Sequence, residues 1–458
     1  MKKGILLIIL ILGMVLPCQC FAASQTILSW TEDNAHTQTI SWKGDNKTVG
    51  YVEYKKQYEG WSDGKRVRGT GFSTFKGKYY RNNVTIKGLS QKTTYDYRTG
   101  DGKTWSKTGS FTTGPMVRGE RIDSENKMSH TEEGFSFAFL GDVQYEKEKV
   151  SDYNRWGKLV ETMYQKNPEI TFGLTGGDMV NSAKTLKEWE IFYENAALVF
   201  GEIPLMSTPG NHDKGSSPKT YVKMNELPSN GPKGLEEEFY SFDYANCHIL
   251  SLNSCFFMDS RQKRMGKEKW KAERKKINNW IDEDLKSVDD KWKIVVMHHP
   301  AYGISDGNDI YKQIRKSWEA RFELGEVDLV LCGHQHVYMR TKPIGGITYV
   351  MGNSGQKRSN YYKEGKVPGY VENVDALESS YQIVSVEKNQ LKLASYNEKG
   401  QLIDKWDKKV GYSMTLKVAL GAALLIGVLI CGFAIRIFWW RKGTLPKSRC
   451  EHNSKKNG

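Results

Sequence analysis

Five segments between residues 141 and 336 place aspartate, asparagine or histidine directly after a run of buried-type residues. The carboxyl ends of strands in an α/β sheet lie at a common edge, so the five segments are expected to converge. One such segment alone is more often a turn or a helix cap. Five together predict one shared site. The segments are Gly141-Asp142-Val143-Gln144, Gly177-Asp178, Gly210-Asn211-His212-Asp213, Met297-His298-His299 and Gly333-His334-Gln335-His336.

The runs that precede these segments alternate with helix-like stretches. Because the runs consist mainly of apolar residues without a polar alternate face, they are typical of strands buried on both faces, and their alternation with helices predicts an α/β domain. A hairpin of 380–386 and 390–396 is expected to close this domain. The buried runs are 135–140, 170–175, 203–208, 248–252, 294–297 and 327–332, and the helix-like stretches are 151–165, 186–200 and 267–285.

The first hundred residues show a different pattern. Short alternating stretches separated by Gly, Asn and Asp predict a small antiparallel β-sandwich, with Trp42 as an inward core residue. The strands are expected at 39–42, 50–54, 83–87, 94–98 and 109–113.

The side chains at the five strand ends suit metal ions of intermediate hardness, because they offer carboxylate, amide and imidazole but no thiolate. Asp178 can bridge two ions through its two carboxylate oxygens and hold them about 3.5–4 Å apart. On an extended segment residues two apart point the same way, so His334 and His336 are each expected to bind one ion. The sequence therefore predicts a binuclear metal centre.

The order of these motifs resembles the calcineurin-like metallophosphoesterases and, among them, the purple acid phosphatases. Residues 333–340, reading Gly-His-Gln-His-Val-Tyr-Met-Arg, carry part of the resemblance. Residues 94–102 and 111–113, reading Thr-Tyr-Asp-Tyr-Arg-Thr-Gly-Asp-Gly and Phe-Thr-Thr, carry the rest. The resemblance implies an N-terminal antiparallel β-sandwich of fibronectin-type-III-like fold at 24–114, and an α/β metallophosphoesterase domain with a two-sheet βαβ sandwich at 135–397. Residues 115–134 are polar and are expected to link the two domains.

The resemblance also implies roles for the site residues. His212 is the implied general acid, since a histidine beside a metal-bound asparagine can protonate a leaving oxygen. Asp213 either orients His212 or starts a turn, and His299 either touches the phosphate or packs. Six residues would hold two ions of iron, zinc or manganese: Asp142 and His336 the first, Asp178 as the bridge, and Asn211, His298 and His334 the second.

Two positions depart from the family's pattern. Purple acid phosphatases owe their colour to a tyrosinate ligand three residues after the bridging aspartate, and this position is Asn181. Related enzymes place a histidine ligand two residues after the first aspartate, and this position is Gln144. The amide oxygen of Gln144, or Tyr145 as a substitute, is therefore the expected remaining ligand. No tyrosinate-to-iron absorption band is expected.

The implied function is hydrolysis of phosphate monoesters by a metal-bound hydroxide, with a phosphorylated small molecule or a surface ester as substrate. A phosphodiesterase with the same metal site is an alternative, because the two reactions differ in pocket shape. A metal-free surface receptor or adhesin on the same scaffold is an alternative of another class. Without its two ends the chain carries only +6 of its net charge of +14, so nucleic-acid binding is not expected.

Both ends of the chain predict export and membrane attachment. Residues 1–22 have the basic start, short apolar run and small residues of a signal peptide. Residues 416–440 contain an uncharged 18-residue run and are typical of a transmembrane helix, preceded by a polar stalk at 398–415. Seven Lys and Arg residues against one Glu from residue 436 onward place the basic tail, 441–458, in the cytoplasm and the catalytic domain outside.

Cys247, Cys255 and Cys332 are the cysteines outside these ends. So small and odd a set is not a disulfide framework. Cys247 could pair with Cys255, or all three could be small buried residues.

Overall fold

Twenty-one strands and seven α-helices form in the residues that the computed structural model describes, which are 23–44, 49–116, 134–144, 150–288, 291–360, 362–363, 366–410 and 431. The strands are β1 (Ala23–Ser29), β2 (Thr37–Gly44), β3 (Tyr51–Lys56), β4 (Lys65–Arg68), β5 (Thr70–Thr74), β6 (Tyr79–Lys87), β7 (Thr94–Gly100), β8 (Gly109–Thr112), β9 (Phe135–Leu140), β10 (Ile170–Thr175), β11 (Leu205–Ser207), β12 (Phe239–Tyr244), β13 (Cys247–Leu252), β14 (Trp292–Met297), β15 (Leu329–Cys332), β16 (Tyr338–Thr341), β17 (Thr348–Met351), β18 (Val371–Asp375), β19 (Ser380–Val386), β20 (Gln390–Asn397) and β21 (Leu402–Lys409). The α-helices are α1 (Val150–Lys166), α2 (Leu186–Phe200), α3 (Lys219–Met224), α4 (Asp259–Met265), α5 (Lys267–Lys286), α6 (Asp309–Ile314) and α7 (Ala320–Leu324).

The N-terminal domain is a sandwich of two four-stranded antiparallel sheets, as predicted. The sheets have the orders β1-β2-β6-β5 and β4-β3-β7-β8. Alternate residues of β2, β3, β6 and β7 contribute to a common core, in which Trp42 from one sheet packs with Tyr95 and Phe111 from the other. β4 and β5 were not predicted, because these edge strands are rich in Lys, Arg, Gly and Thr and are largely exposed.

The second domain is built from two larger sheets that face each other. One has the order β11-β10-β9-β19-β20-β21, the other β12-β13-β14-β15-β17-β16-β18. Along β14, Ile294 and Val296 point into the core between the sheets, whereas Val295 and Met297 pack with residues of α5 and α7. Burial on both faces explains why the run is apolar throughout. The predicted α/β domain is thereby confirmed.

The N-terminal sandwich packs directly on the second domain. The Trp30 ring lies 5.3 Å from the Phe172 ring and 5.6 Å from the Tyr244 ring, centroid to centroid. The Tyr97 hydroxyl donates a 2.6 Å hydrogen bond to the Gly201 carbonyl, and Lys43 pairs with Glu190 at 2.8 Å. Aromatic packing and buried polar contacts therefore join the two domains.

The prediction of a polar stalk is wrong for residues 402–409, because they form the edge strand β21 of the six-stranded sheet. Ile403 and Trp406 pack on the core, and the Asp404 carboxylate accepts 2.6 Å hydrogen bonds from Tyr338 and Arg340. The α/β domain thus extends past the predicted end at residue 397.

Several predicted segments lie outside the described residues. They are the signal peptide, most of the linker and nearly all of the transmembrane segment and tail. Within the residues that are described, no helix is both long and apolar enough to cross a membrane.

The three cysteines of the body are buried and unpaired. The alternative of a Cys247–Cys255 disulfide is therefore wrong.

Candidate metal centre

The site lies where the carboxyl ends of strands from both large sheets meet. Asp142, Asp178 and Asn211 follow β9, β10 and β11 of the six-stranded sheet, and His298 and His334 follow β14 and β15 of the other sheet. The loops approach so closely that a Cβ on Gly210 would lie 2.1 Å from the Asp178 carboxylate. There is no room for a Cβ at this position, which explains why a glycine precedes Asn211.

Asp142, Asp178 and His336 form one group of ligand atoms, all within 4.8 Å of one another. Gln144 joins this group, since its Nε2 lies 3.0 Å from Asp178 Oδ2 and 3.1 Å from His336 Nε2. Asp142 Oδ1 and Gln144 Oε1 are buried without a hydrogen-bond partner. Buried oxygens without a partner are costly unless a cation binds them, and Asp142 Oδ1 lies 3.7 Å from His336 Nε2. This group fits a metal ion.

Asn211, His298 and His334 form a second group. His298 Nδ1 donates to the Gly176 carbonyl at 2.8 Å, which leaves Nε2 without a proton when the ring is neutral. That Nε2 faces two acceptors, Asn211 Oδ1 at 2.9 Å and Asp178 Oδ2 at 3.3 Å. His334 Nδ1 lies 2.9 Å from the same Asn211 oxygen. Lone pairs that face one another in this way need a proton or a cation between them, so this group also fits a metal ion.

Burial and mutual charge set the protonation of these groups. Burial lowers the pKa of His334, and burial with the nearby Lys357 ammonium lowers the pKa of His336 to about 3. Both rings are therefore neutral and have lone pairs available for a metal. Burial also lowers the pKa of His298, but the Asp178 carboxylate outweighs it and raises that pKa to about 9. A metal ion would take the place of this proton.

The two carboxylates respond to burial differently. Burial raises the pKa of Asp142 to about 7, with the Asp178 charge adding to the effect. Burial also acts to raise the pKa of Asp178, but His298 and the backbone N–H of His212 outweigh it, and the pKa is lowered. Asp178, the predicted bridge, is thus the permanently ionised member of the site.

Three of the predicted ligands have left-handed backbone. Asp178 has φ 53°, His334 has φ 80° and His336 has φ 51°, a region that residues other than glycine rarely occupy. The expectation that the two histidines lie on an extended segment is therefore wrong. Gln335 between them is buried and accepts a hydrogen bond from the Ile304 N–H at 2.8 Å, which fixes the turn and separates the two rings.

His212 lines the pocket in front of these groups. Its Nδ1 donates a 2.7 Å hydrogen bond to the Asn181 carbonyl, and its N–H donates to Asp178 Oδ1 at 2.7 Å. The first bond fixes the tautomer, so in the protonated ring Nε2 carries the transferable proton. The backbone of Asn181 therefore positions the predicted general acid.

Two other predicted positions have structural contacts. Asp213 does not orient His212. Its buried carboxylate accepts from the N–H groups of Gly210 and Val180, and burial raises its pKa to about 7. His299 Nδ1 lies 3.0 Å from the Ser254 hydroxyl, and His299 also has a ring nitrogen in a group of possible ligand atoms with His298 and His334, all within 4.8 Å of one another. Tyr145 lies outside the described residues.

Sequence reasoning missed two residues of the pocket, which has a volume of about 200 Å³. Lys357 and Asn360 line it together with Gln144, Asp178 and the histidines. They follow β17, whose carboxyl end Gly352-Asn353 lies at the same sheet edge as the other polar strand ends. The polar residues after this sixth strand could have indicated that the following loop reaches the pocket.

The fold and the donor set together define a binuclear-metal hydrolase of the α/β two-sheet class. Residues 135–338 match the calcineurin-like phosphoesterase family, and residues 23–113 match the purple acid phosphatase N-terminal domain. The chain therefore contains a calcineurin-like phosphoesterase domain preceded by the N-terminal domain of the purple acid phosphatases. The resemblance seen in the sequence is confirmed, and so is the predicted class, a metal-dependent phosphoesterase.

Named relatives and solved structures agree with this assignment. The chain is 26% identical to purple acid phosphatase 22 of Arabidopsis thaliana, over 68% of each chain. It is 24% identical to the phosphoenolpyruvate phosphatase of Allium cepa, over 73% of this chain and 66% of the relative. In fold it is similar to a purple acid phosphatase from yellow lupin seeds, with a TM-score of 0.65 at 16% identity, covering 85% of this chain and 75% of that one. It is also similar to PhoD, with a TM-score of 0.59 at 13% identity, covering 86% and 94%.

Proposed function

We propose that this protein hydrolyses phosphate monoesters at a binuclear metal centre. The observation that carries the proposal is the pair of ligand groups: Asp142 Oδ1 of the first is buried without a hydrogen-bond partner, and His298 Nε2 of the second faces the Asn211 oxygen at 2.9 Å. Relatives named purple acid phosphatase and phosphoenolpyruvate phosphatase support a monoester substrate.

The residues of the site have separate roles in this hydrolysis. Two bound ions would lower the pKa of water toward neutrality and offset charge on the phosphoryl oxygens. Asp178 holds the two groups together, because its Oδ2 contacts Gln144 on one side and His298 on the other. His212 faces the pocket and supplies a proton to the leaving oxygen.

The proposal is tested with the purified full-length protein and two aryl substrates. Turnover of 4-nitrophenyl phosphate should depend on added Fe, Zn or Mn and should exceed turnover of bis(4-nitrophenyl) phosphate. Asn211→Ala should abolish it, because the asparagine oxygen contacts both histidines of the second group. A higher rate on the diester would replace the proposal by a phosphodiesterase, and wild-type activity in Asn211→Ala would refute the site.

The proposed location is outside the cytoplasm, with the catalytic domain tethered by residues 416–440. The apolar run, the positive tail and the N-terminal signal pattern support this location. Intact cells should hydrolyse a membrane-impermeant phosphate ester, and deletion of 416–458 should release the activity into the medium. Activity that appears only after cell lysis would contradict the location.

A further inference from the structure

The pocket is lined by one positively charged side chain that belongs to neither ligand group. The Lys357 ammonium lines it beside Gln144 and His336, and Asn360 lines it as well. Lys357 makes no salt bridge to any residue that the structure describes. The one carboxylate lining the pocket, Asp178, already accepts from Gln144 and from the His212 N–H. Among the described residues no carboxylate pairs with the ammonium, so it can bind an anion from solution.

The backbone that carries Lys357 is held tightly against the first ligand group. The N–H of Gly355 donates to the Asp142 carbonyl at 2.6 Å, and a Cβ at Gly355 would lie 2.5 Å from the Val143 carbonyl oxygen. The Asn353 amide donates to the Lys357 carbonyl at 2.9 Å, and the Arg358 guanidinium donates to the same carbonyl at 3.3 Å. The position of residue 357 is thus fixed relative to the metal centre.

We propose that Lys357 and Asn360 form a subsite for a second anionic group carried next to the scissile phosphate. The matching substrates are phosphoanhydrides, such as pyrophosphate, and small phosphate esters with a carboxylate. The inference rests on the proposed function and names its substrate class. In a pocket of about 200 Å³, a group bonded through one or two atoms to the phosphate lies within reach of both His212 and Lys357.

The chemistry of a phosphoanhydride fits this arrangement. Water oxygen bonds to the terminal phosphorus as the bridging P–O bond breaks, and the departing phosphate receives a proton. An ammonium near the departing group offsets the charge that develops on it. An amide such as Asn360 adds a neutral hydrogen-bond donor.

The test uses the metal-loaded full-length protein and three substrates: 4-nitrophenyl phosphate, pyrophosphate and phosphoglycolate. In Lys357→Gln, kcat/KM for pyrophosphate should fall at least tenfold more than for 4-nitrophenyl phosphate, mainly through KM. A parallel fall for phosphoglycolate would extend the subsite to carboxylates, whereas a fall for pyrophosphate alone would restrict it to phosphoryl groups. The matched control is Lys366→Gln, an exposed lysine outside the pocket, which should behave as wild type.

A binding measurement tests the subsite independently of the proposed reaction. Methylenediphosphonate should bind the wild-type protein at least tenfold more tightly than methylphosphonate, and Lys357→Gln should remove most of that difference. Equal losses on all three substrates, or an unchanged difference between the two phosphonates, would overturn the subsite. Absence of any turnover by the wild-type protein would instead overturn the proposed function, and the phosphonate binding would still decide the subsite.

Discussion

Replacing Gln144 by leucine should leave the metal-free protein almost as stable as wild type. The Gln144 amide N–H donates to the Asp178 carboxylate at 3.0 Å, a bond worth about 1.5–3 kcal/mol. Its Oε1 is buried without a partner, which costs about 1–3 kcal/mol. Leucine removes both terms, so the free energy of unfolding should change by less than about 2 kcal/mol.

The same replacement should have a large effect once metal is present. If Oε1 is a ligand, its loss should weaken the first site by about 100-fold, the upper end of what losing even an outer-shell partner costs. At a free metal concentration 100 times the wild-type Kd, binding stabilises the wild type by about 2.7 kcal/mol. A 100-fold weaker site would gain only about 0.4 kcal/mol under the same conditions.

Urea unfolding with and without metal, followed by tryptophan fluorescence, measures both effects. Gln144→Glu should keep or increase the metal-dependent gain, since a carboxylate oxygen takes the place of the amide oxygen. Gln356→Leu is the control, because that amide bonds to Ser379 outside the pocket. Equal metal-dependent gains in Gln144→Leu and wild type would refute Gln144 as a ligand.

Three further predictions follow from named contacts. His212→Asn should lower kcat for an aryl phosphate by about 10²–10⁴ while two ions stay bound; lost metal or an unchanged kcat would contradict its role as the acid. With Asn181 in the tyrosinate position, the iron-loaded protein should show no visible charge-transfer band, and a purple protein would contradict this. Burial lowers the pKa of His248, but hydrogen bonds to Asp243 and Asp284, each 2.8 Å, outweigh it and raise that pKa. The stability that the imidazolium contributes is then fully present below about pH 6.5 and is lost as the pH rises through the folded pKa. His248→Gln should therefore lower the free energy of unfolding by about 2–3 kcal/mol at pH 6 and by less at pH 9. Equal losses at both pH values would refute the raised pKa.

The sequence predicted the parts of the fold in which burial imposes a pattern. Strands such as β14 are covered on both faces, which favours an apolar run such as 294–297, so their positions and polar ends can be read directly. The edge strand β21 has one exposed face with Lys405, Asp407 and Lys409, and its half-buried face places Trp406 between the charged residues Asp404 and Lys408. That composition is also typical of a polar stalk, and only the pairing with β20 distinguishes the two.

The sequence predicted which residues form the site but not their local backbone geometry. The residues at the strand ends converge because the topology brings those ends together, which the order of motifs already implied. The left-handed turns at His334 and His336 depend on Gln335 being anchored from another loop, a contact that local sequence does not encode. Lys357 was missed because it reaches the pocket from a loop without a recognisable ligand motif.

Metal content of the purified full-length protein, measured by mass spectrometry against chain concentration, tests the binuclear centre most directly. Two ions per chain are expected in the wild type, and Asn211→Ala should lose the second ion together with turnover. A wild-type chain that binds no ion, or one that hydrolyses phosphate esters equally well after complete metal removal, would contradict it.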